Sequence, residues 1–363
     1  MSTADNRFSL ISRNVSEIVT ESDLKNILES KKVIKGYIGV EPSGLFHIGW
    51  IIWARKIIDF ITAGVEMVFL EATWHAWIND KLGGKLENIL DCASYIEYCL
   101  KAFGVTIEKL RLIKAEDTIT DPAYWALLLK ISKQLSLARV KRAMTIMGRK
   151  EKEANIDFSK LIYPAMQVAD IFYLDLDLCL GGTDQRKAHI LAREVADKLN
   201  LDKPVGIHTP LLIGLGGFRQ TIDKKRGKQE DIVDMKMSKS KPETCIFIHD
   251  DEETVRRKIL NAYCPSQKVE HNPIIEINHH ILFAETGFKL EIDRPAKYGG
   301  STRIEIFEEL SQSYEKGEIH PLDLKNATAI ALNKKLNPIR KYFEQNSKAN
   351  ELYKTLSKLT ISR

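Results

Sequence analysis

Two groups of residues have the chemistry to bind phosphates. Residues 236–240, here called the lysine segment, read Lys-Met-Ser-Lys-Ser, which places two cationic side chains and two hydroxyls within five positions. Far upstream, His47 follows a Pro-Ser-Gly turn at the predicted start of a helix, where unpaired amides and the helix dipole favour anions. Each group alone has a plainer interpretation, a solvated loop or a turn shaped by glycines, so their combination carries the hypothesis.

Three polar side chains are predicted to share one face of an otherwise apolar helix at 161–173. Tyr163, Gln167 and Asp170 fall at i, i+4 and i+7. Such a stripe either meets solvent or lines a pocket, and the helix considered alone favours solvent. Pro164 is expected in the first turn of this helix, because a proline further inside would remove a main-chain hydrogen bond.

Two predicted strand–turn–helix units position these side chains. The first contains Tyr37 on its strand, and the second runs from an apolar strand at 176–180 through two glycines into a helix that carries Gln185 near its start. Apolar segments between and after them predict further parallel strands, at 65–70, 110–113 and 205–212. This alternation predicts an α/β fold with a doubly wound, Rossmann-like parallel sheet, in which ligands bind at the carboxyl ends of the strands.

A change in composition predicts the domain organisation. Residues 1–35 form a helical preamble, and 36–247 form a Rossmann-like catalytic domain with a basic helical insertion at about 121–160 and a mobile loop at 214–240. Strand patterns then stop, so 248–363 is predicted to be an all-α domain. Its candidate helices are 252–262, 273–282, 302–313, 321–333 and 338–358.

Composition limits the possible classes of protein. A hydrophobic share of 44% is typical of a globular chain, and 363 residues favour two domains. The net charge of +5 is too small to indicate nucleic-acid binding. A local cluster does indicate nucleic-acid binding. Residues 130–152 contain eight Lys or Arg residues, including Lys141 and Arg142, and a single acid. Such a run is more often a solvated face.

Cysteine usage and apolar patterning indicate a compartment. The five cysteines are odd in number and widely spaced without a CxxC pair, so neither a disulfide framework nor a protein-bound metal site is predicted. The polar N-terminus lacks the apolar core of a signal peptide, and no apolar run approaches the length of a membrane span. We therefore expect a cytoplasmic protein without a membrane partner.

The ordered pair of phosphate-binding groups resembles the two signatures of class I aminoacyl-tRNA synthetases. The similarity is closest to tyrosyl-tRNA synthetases of the archaeal and eukaryotic type, over about residues 37–341. The motifs that carry it are Tyr-Ile-Gly-Val-Glu-Pro-Ser-Gly from Tyr37, Ile-Tyr-Pro-Ala-Met-Gln-Val-Ala-Asp from Ile162, Gly-Gly-Thr-Asp-Gln-Arg-Lys-Ala-His from Gly181, the lysine segment, and His-Pro-Leu-Asp-Leu-Lys-Asn-Ala from His320.

The resemblance implies a tyrosine–tRNA ligase. Such an enzyme activates L-tyrosine with ATP to tyrosyl-adenylate and pyrophosphate, then transfers tyrosine to the 3′-terminal adenosine of tRNA(Tyr). Positioning and charge neutralisation suffice for this chemistry, so no protein nucleophile is required. The resemblance also implies ATP with Mg²⁺, no organic cofactor, and a homodimer.

The same resemblance assigns the tyrosine site. Tyr37 and Asp170 would hold the phenol hydroxyl, and a site that needs this hydroxyl rejects phenylalanine because its own polar groups would be left unpaired. The ammonium group would be bound by Tyr163, Gln167 and Gln185. His75 matches a further pocket position, although a lone histidine is more often structural.

For ATP, the resemblance assigns His47, Lys236 and Lys239 to the developing phosphate charge. The wider ATP-binding set comprises Gly44, His47, Gly49, Gly182, Asp184, Lys236, Met237, Ser238, Lys239 and Ser240. Trp50 is a departure, because the family's first signature commonly ends there in a second histidine. An indole cannot carry positive charge, so either His47 and the two lysines do most of the work or activation is weakened.

For tRNA, the resemblance assigns Lys141 and Arg142 to the acceptor stem and His320, Pro321 and Asp323 to the anticodon, within a C-terminal anticodon-binding domain. Aspartate can accept from guanine, and a ring can stack on an unpaired base. The structural alternative is a helix start with proline and an acid in its first turn.

Three other functions remain open at this level: a tryptophanyl-tRNA synthetase, a synthetase-like RNA-binding protein without activation, and an unrelated nucleotidylyltransferase. Tyr37 and Asp170 count against the first, since an indole does not need this acidic pair. Trp50 is the only support for the second. The helical C-terminal region with its His-Pro-Leu-Asp counts against the third.

Overall fold

A computed structural model describes residues 3–148, 157–217 and 235–359. The chain divides into two compact units. The first comprises Met1–Gly44, Trp53–Pro210 and Leu352–Arg363, and the second comprises Leu45–Ile52 and Leu211–Glu351. The lysine-rich stretch at 222–234 within the predicted mobile loop lies outside the described residues.

The boundaries of the two compact units differ from the domain boundary that the sequence predicted at 247. The segment that follows residue 210 is bonded to second-unit main chain, since Leu215 donates to the Thr244 carbonyl at 2.9 Å and accepts from the Tyr263 amide at 2.8 Å. The short segment 45–52, which contains His47, also belongs to the second unit. The functional domains remain predictions, because compactness does not assign roles.

The first unit is built on a six-stranded sheet with the order β1-β6-β5-β2-β3-β4. All neighbours are parallel except β1, which runs antiparallel to β6. This topology confirms the predicted doubly wound parallel sheet. The strands are β1 (Glu17–Val19), β2 (Lys35–Val40), β3 (Glu66–Glu71), β4 (Leu110–Lys114), β5 (Leu178–Gly182) and β6 (Val205–Thr209).

The edge strand β1 was missed by the sequence analysis, which predicted helical structure throughout 1–35. Its three residues pair with residues 206–208, far along the chain. Three residues are too few to show a strand period, and the partner is not a sequence neighbour. The prediction was therefore wrong for residues 17–19.

The order of the strands creates a crevice. β2 lies between β3 and β5, so the chain leaves the carboxyl ends of β2 and β5 toward opposite sides of the sheet. Ligands bind at such a switch point in open α/β sheets. Glu41 directly follows β2 and the turn Thr183–Gln185 directly follows β5, so both segments border the crevice.

The helix that carries the polar stripe starts earlier than predicted. It spans Phe158–Tyr173, and the side chain of Asp157 caps it by accepting from the Lys160 amide at 3.3 Å. Pro164 therefore lies inside the helix and not in its first turn, which corrects the sequence analysis. The helices of this unit are α1 (Thr3–Ser12), α2 (Glu21–Ser30), α3 (Ile51–Thr62), α4 (Thr73–Ile78), α5 (Leu86–Ala102), α6 (Ala115–Ile119), α7 (Pro122–Ser132), α8 (Leu137–Ala143), α9 (Phe158–Tyr173) and α10 (Arg186–Leu199).

The C-terminal region is mainly helical, with one addition that the sequence analysis missed. A two-stranded antiparallel ribbon pairs β7 (Leu290–Ile292) with β8 (Thr302–Ile304), where helix had been predicted from 302. The two predicted helices at 321–333 and 338–358 are instead one long helix to Gln345 and a shorter one. The helices are α11 (Glu252–Asn261), α12 (Pro273–Ile277) continued by a π turn, α13 (Phe307–Glu315), α14 (Pro321–Gln345) and α15 (Ser347–Ser357).

Pro338 explains why that long helix was divided in the prediction. It lies inside α14, where a proline normally interrupts a helix, and the helix continues past it for two turns. Its neighbours Leu336 and Ile339 are buried, so packing compensates for the missing main-chain hydrogen bond. Within the described ranges, no helix combines the length and the apolar character needed to cross a bilayer.

Candidate active site

Asp170 is one of the buried acids of the first unit. It lies on α9 and is 2% exposed, which overturns the expectation that the polar stripe meets solvent. The Tyr124 hydroxyl donates to Asp170 Oδ1 at 2.8 Å, and His75 Nε2 lies 3.1 Å from Oδ2. A carboxylate held on both oxygens has a fixed orientation, as a recognition site requires.

His75 couples the acid to the rest of the pocket. Burial by itself would lower the pKa of this histidine, but the charge and hydrogen bond of Asp170 raise it above the ordinary value. The ring also meets Tyr163 edge to face, with centroids 5.1 Å apart. His75 is therefore both a packed core side chain and a polar partner of the predicted site.

Tyr37, on β2, belongs to the buried cluster that also contains Tyr124 and Tyr163. It is 1% exposed, and its strand position pairs with Cys179 on β5. Burial is the largest cause that raises the pKa of the Tyr37 phenol, followed by the charges of Cys179 and Asp170. A hydrogen bond with Gln167 opposes the rise. The structure thus brings Tyr37, Asp170 and Gln167 close together.

Tyr163 is bonded to a carboxylate that the sequence analysis did not single out. Its hydroxyl donates to Glu41 Oε1 at 2.5 Å, and burial followed by Glu41 raises its pKa. Asn79 Nδ2 lies 3.2 Å from both Glu41 oxygens, and Lys81 Nζ lies 3.8 Å from one of them. The position of Glu41, directly after the first core strand, was the available signal.

Two glutamines join α9 to the turn after β5. Gln167 Nε2 donates to Gln185 Oε1 at 3.2 Å, and Gln185 Nε2 donates to the Ile146 carbonyl at 3.2 Å. Gln167 Oε1 is buried and has no protein hydrogen-bond partner. A buried amide oxygen without a partner is costly, so this atom is suited to accept from a ligand.

The second unit brings the two phosphate-binding groups together. The Ile48 amide donates to the Ile246 carbonyl at 2.9 Å, and the Ile248 amide donates to the Phe46 carbonyl at 3.1 Å. The lysine segment is held by a bridge between Ile213 and Lys236. Residues 46–48 and 246–248, separated by almost two hundred residues, therefore meet through main-chain bonds in the part of the chain that follows the lysine segment.

Within this arrangement His47 is a neutral group. Burial first, and then the charges of Lys239 and Lys236, lower its pKa well below the ordinary value. Its Nδ1 accepts from the Gly49 amide at 3.2 Å, which leaves Nε2 as the N–H side of the ring. A neutral imidazole can donate to a phosphate oxygen without adding charge beside two lysines.

The other residues of the lysine segment hold its shape. Met237 is 4% exposed and its amide donates to the Leu212 carbonyl at 2.6 Å. The hydroxyls of Ser238 and Ser240 lie 3.0 Å apart, and Lys239 is 7% exposed. The buried Met237 therefore anchors the lysine segment to the chain at Leu212.

The glycines of the predicted ATP-binding set occupy three different structural positions. Gly44 has φ of 109°, in the region that favours glycine, and a Cβ at Gly49 would lie 3.0 Å from the His47 ring. Gly182 ends β5, and the half-buried Asp184 lies in the short turn that follows. Gly44 and Gly49 thus allow a tight main-chain path around His47.

The predicted tRNA contacts lie on the surface. Lys141 and Arg142 are exposed on α8, whereas Arg139 is engaged with Glu194 at 2.7 and 2.8 Å. Of the basic run, Arg149, Lys150 and Lys152 lie outside the described residues.

The predicted anticodon residues stand at a helix start. His320 is exposed and caps α14, with Nδ1 accepting from the Leu322 amide at 3.2 Å. Pro321 and Asp323 follow in the first turn and are half-buried. The structural alternative for His320 is therefore present, and its ring faces remain suited to stacking.

The sequence and the fold are similar to those of known proteins. The model of the class I tRNA synthetases (W and Y) matches residues 29–337. A tyrosine–tRNA ligase of Saccharolobus islandicus is 54% identical over 357 residues, 98% of each chain. The crystal structure of tyrosyl-tRNA synthetase from Aeropyrum pernix has a TM-score of 0.88 and 46% identity, covering 98% of this chain and 99% of that one.

A further solved structure, the tyrosyl-tRNA synthetase from Pyrococcus horikoshii complexed with L-tyrosine, has a TM-score of 0.88 and 39% identity, covering 98% of this chain and 100% of that chain. The doubly wound sheet, the paired signatures and these matches define a class I aminoacyl-tRNA synthetase. The chain is thus a ligase of that class. It belongs to the tyrosyl-tRNA synthetase family.

Proposed function

We propose that this chain ligates L-tyrosine to tRNA(Tyr) and that Asp170 recognises the tyrosine hydroxyl. The carrying observation is a carboxylate that is 2% exposed, oriented by Tyr124 and His75, and close enough to Tyr37 to raise its pKa. A phenol hydroxyl donates one hydrogen bond and accepts another, which matches an acid beside a second phenol.

The ammonium group of tyrosine fits the other end of the polar stripe on α9. Gln167 Oε1 is buried without a protein partner, and Gln185 is held against Gln167 by their shared hydrogen bond. Tyr163 adds a phenol oxygen whose bond to Glu41 places a carboxylate nearby. The neutral acceptors that the sequence implied are thereby supplemented by one negative charge, which strengthens the binding of a cation.

The phosphates of ATP fit the second unit. His47 would donate to a phosphate oxygen as a neutral imidazole, while Lys236 and Lys239 supply the positive charge. The two cations would stabilise the charge that develops on pyrophosphate as it leaves. Mg²⁺ would enter with ATP as part of the substrate.

The two steps need no covalent enzyme intermediate. In the first, a tyrosine carboxylate oxygen attacks the α-phosphorus of ATP, and the bond to pyrophosphate breaks. In the second, a hydroxyl of the 3′-terminal adenosine attacks the adenylate carbonyl, and AMP leaves with the bonding electrons. The chain's contribution is orientation and electrostatic stabilisation.

The tRNA would contact both units. Lys141 and Arg142 are exposed cations suited to the acceptor stem, and phosphate contacts of this kind dominate affinity. In the C-terminal region, 248–363, the exposed ring of His320 would stack on an anticodon base, with Pro321 and Asp323 beside it. That region would be the anticodon-binding domain, and 36–247 the catalytic domain.

The proposal includes a homodimer and a cytoplasmic location. On α7, Trp125 is 42% exposed and Leu129 is 70% exposed one turn later, and Leu137 on α8 is 58% exposed. Large exposed apolar side chains on two consecutive helices are typical of a surface that another chain covers, and a second copy is the occupant we propose. The cytoplasm is where tRNA is charged and used.

An ATP–pyrophosphate exchange assay with each of the twenty amino acids tests the proposal. We expect exchange with tyrosine and none above background with phenylalanine or tryptophan. Exchange with tryptophan would support a tryptophanyl enzyme, and no exchange with any amino acid would support an RNA-binding protein without activation. Asp170→Ala should abolish tyrosine-dependent exchange while the melting temperature shows that the variant is folded.

A further inference from the structure

Lys239 lies on the face of the Trp50 ring. Its Nζ atom is 3.6 Å from the ring centroid, and the lysine is only 7% exposed. An ammonium at this distance from an indole face is attracted by the ring quadrupole, and the attraction is strongest where water is excluded. The contact therefore joins the second lysine of the lysine segment directly to the helical turn that follows His47.

Trp50 is itself held in place. Its ring meets Phe46 edge to face, with centroids 5.1 Å apart and planes at 87°. The His47 ring lies 5.5 Å away on the same turn, and the Trp50 amide donates to the His47 carbonyl at 2.9 Å. The indole is thus a fixed surface, and a cation resting on it has a defined position relative to His47.

An aromatic face suits a lysine that must later meet phosphate. An indole attracts the cation without carrying a net negative charge. The ammonium can therefore leave the ring for a phosphate oxygen at a small cost in free energy. The lowered pKa of His47, caused by burial and then by Lys239 and Lys236, is further evidence that these groups lie close together.

We propose that Trp50 is a positioning residue for ATP: its indole face holds the Lys239 ammonium beside His47 before the nucleotide arrives and releases it to the phosphates. Pre-placement lowers the conformational entropy that is lost when ATP binds. This inference rests on the proposed role of Lys239 in ATP binding. It gives Trp50, which cannot carry charge, a function that acts through the lysine.

Two substitutions of Trp50 test the role of its π face. Trp50→Leu keeps an apolar side chain without a π face, and we expect kcat/KM for ATP in pyrophosphate exchange to fall about 5- to 30-fold. Trp50→Phe keeps an aromatic face and should lose no more than about 3-fold. Equal losses in the two variants, or wild-type kinetics in Trp50→Leu, would overturn the proposal.

A merely structural role would behave differently. We expect the affinity for L-tyrosine, measured by calorimetry without ATP, to remain within about 2-fold of wild type in both variants, whereas a general loss of packing would weaken it as well. Tyr98→Leu is the matched control, because it removes the half-buried ring that lies 5.1 Å under the exposed Lys101 on α5. It should leave exchange unchanged.

A double-mutant cycle with Lys239→Met separates the two proposals. If Trp50 acts through the lysine, Trp50→Leu should cause little further loss in the Lys239→Met background. A full additional loss there would show that Trp50 acts by another route. Wild-type exchange by Lys239→Met alone would instead contradict the role of Lys239 in the proposed function.

Discussion

The hydroxyl of Tyr124 donates to Asp170 Oδ1 at 2.8 Å, and both side chains are almost fully buried. Tyr124 lies on α7, in the region predicted to be an insertion, while Asp170 lies on α9. Burial and then Asp170 raise the pKa of the Tyr124 phenol, so it remains a hydrogen-bond donor. The helical insertion therefore contributes Tyr124, which orients the acid that is proposed to recognise tyrosine.

Tyr124→Phe should weaken tyrosine binding. A hydrogen bond to a charged group contributes about 1.5–3 kcal/mol, so its loss should raise KM for tyrosine about tenfold or more in the exchange assay. We expect kcat to change less than about 3-fold, because Tyr124 orients the acid and does not contact the phosphates.

Tyr173→Phe is the matched control for that substitution. Its ring centroid lies 5.4 Å from that of Tyr124, but its hydroxyl donates to the half-buried Asp121 at 2.5 Å, and not to Asp170. It should leave KM for tyrosine unchanged. An equal rise in KM in both variants would indicate a packing effect and would contradict the orienting role of Tyr124.

Glu276 should make stability depend on pH. Its carboxylate accepts from the Ile213 amide at 3.0 Å, and burial raises its pKa from 4.5 to about 7 although that hydrogen bond opposes the rise. Because the folded pKa exceeds the unfolded one, the contribution to stability is complete below pH 4.5 and is lost as pH rises through 7. Glu276→Gln, which does not titrate, should therefore melt higher than wild type at pH 8, with the difference vanishing near pH 4.5.

Glu243→Gln provides the comparison for this measurement. Glu243 is exposed, and its hydrogen bond to Arg257 lowers its pKa, so it is ionised throughout the range from pH 5 to 8. Its substitution should shift the melting temperature by a similar amount at every pH in that range. A parallel pH profile for wild type and Glu276→Gln would refute the titration of Glu276.

Charge reversal on α8 should separate activation from tRNA binding. Lys141→Glu with Arg142→Glu removes two exposed cations, so we expect charging of tRNA to weaken while tyrosine-dependent pyrophosphate exchange stays within about 2-fold. The slope of log affinity against log salt should decrease by about 2. Lys101→Glu, on the surface of α5, is the control and should preserve both activities.

Leu129→Glu should separate the proposed dimer into monomers. A charge placed at a side chain that is 70% exposed is harmless in an isolated subunit but costly when a second copy covers it. Sedimentation velocity should show the mass fall by half, without loss of melting cooperativity. Ile330→Glu changes an equally exposed residue, at 69%, on α14 and should not alter the mass.

The doubly wound fold was predictable because its pattern is local and repeated. Buried parallel strands read as short apolar runs, and glycine turns mark where each strand passes into a helix, so β2 to β6 were found to within a few residues. The strand β1 and the β7–β8 ribbon were missed, since each contributes only three residues and no period is visible. Elements long enough to show a pattern along the sequence were found, and the three-residue strands were not.

For the proposed site, the sequence named candidate residues but could not give their surroundings. Tyr163, Gln167 and Asp170 were placed on one face by helical geometry alone, whereas their burial could not be deduced. The partners Tyr124 and Glu41 come from distant segments, and no spacing rule connects them to α9. The contact between Trp50 and Lys239 is equally non-local.

By itself the sequence determined the class of protein, the doubly wound sheet and the residue types available for tyrosine and ATP, because these follow from periodicity and motif order. Only the tertiary structure decided that the polar stripe is buried, that His47 packs with the lysine segment, and that an indole supports one of its lysines. Burial and non-local contacts arise when separate elements pack together, so they depend on positions that have no fixed distance along the chain.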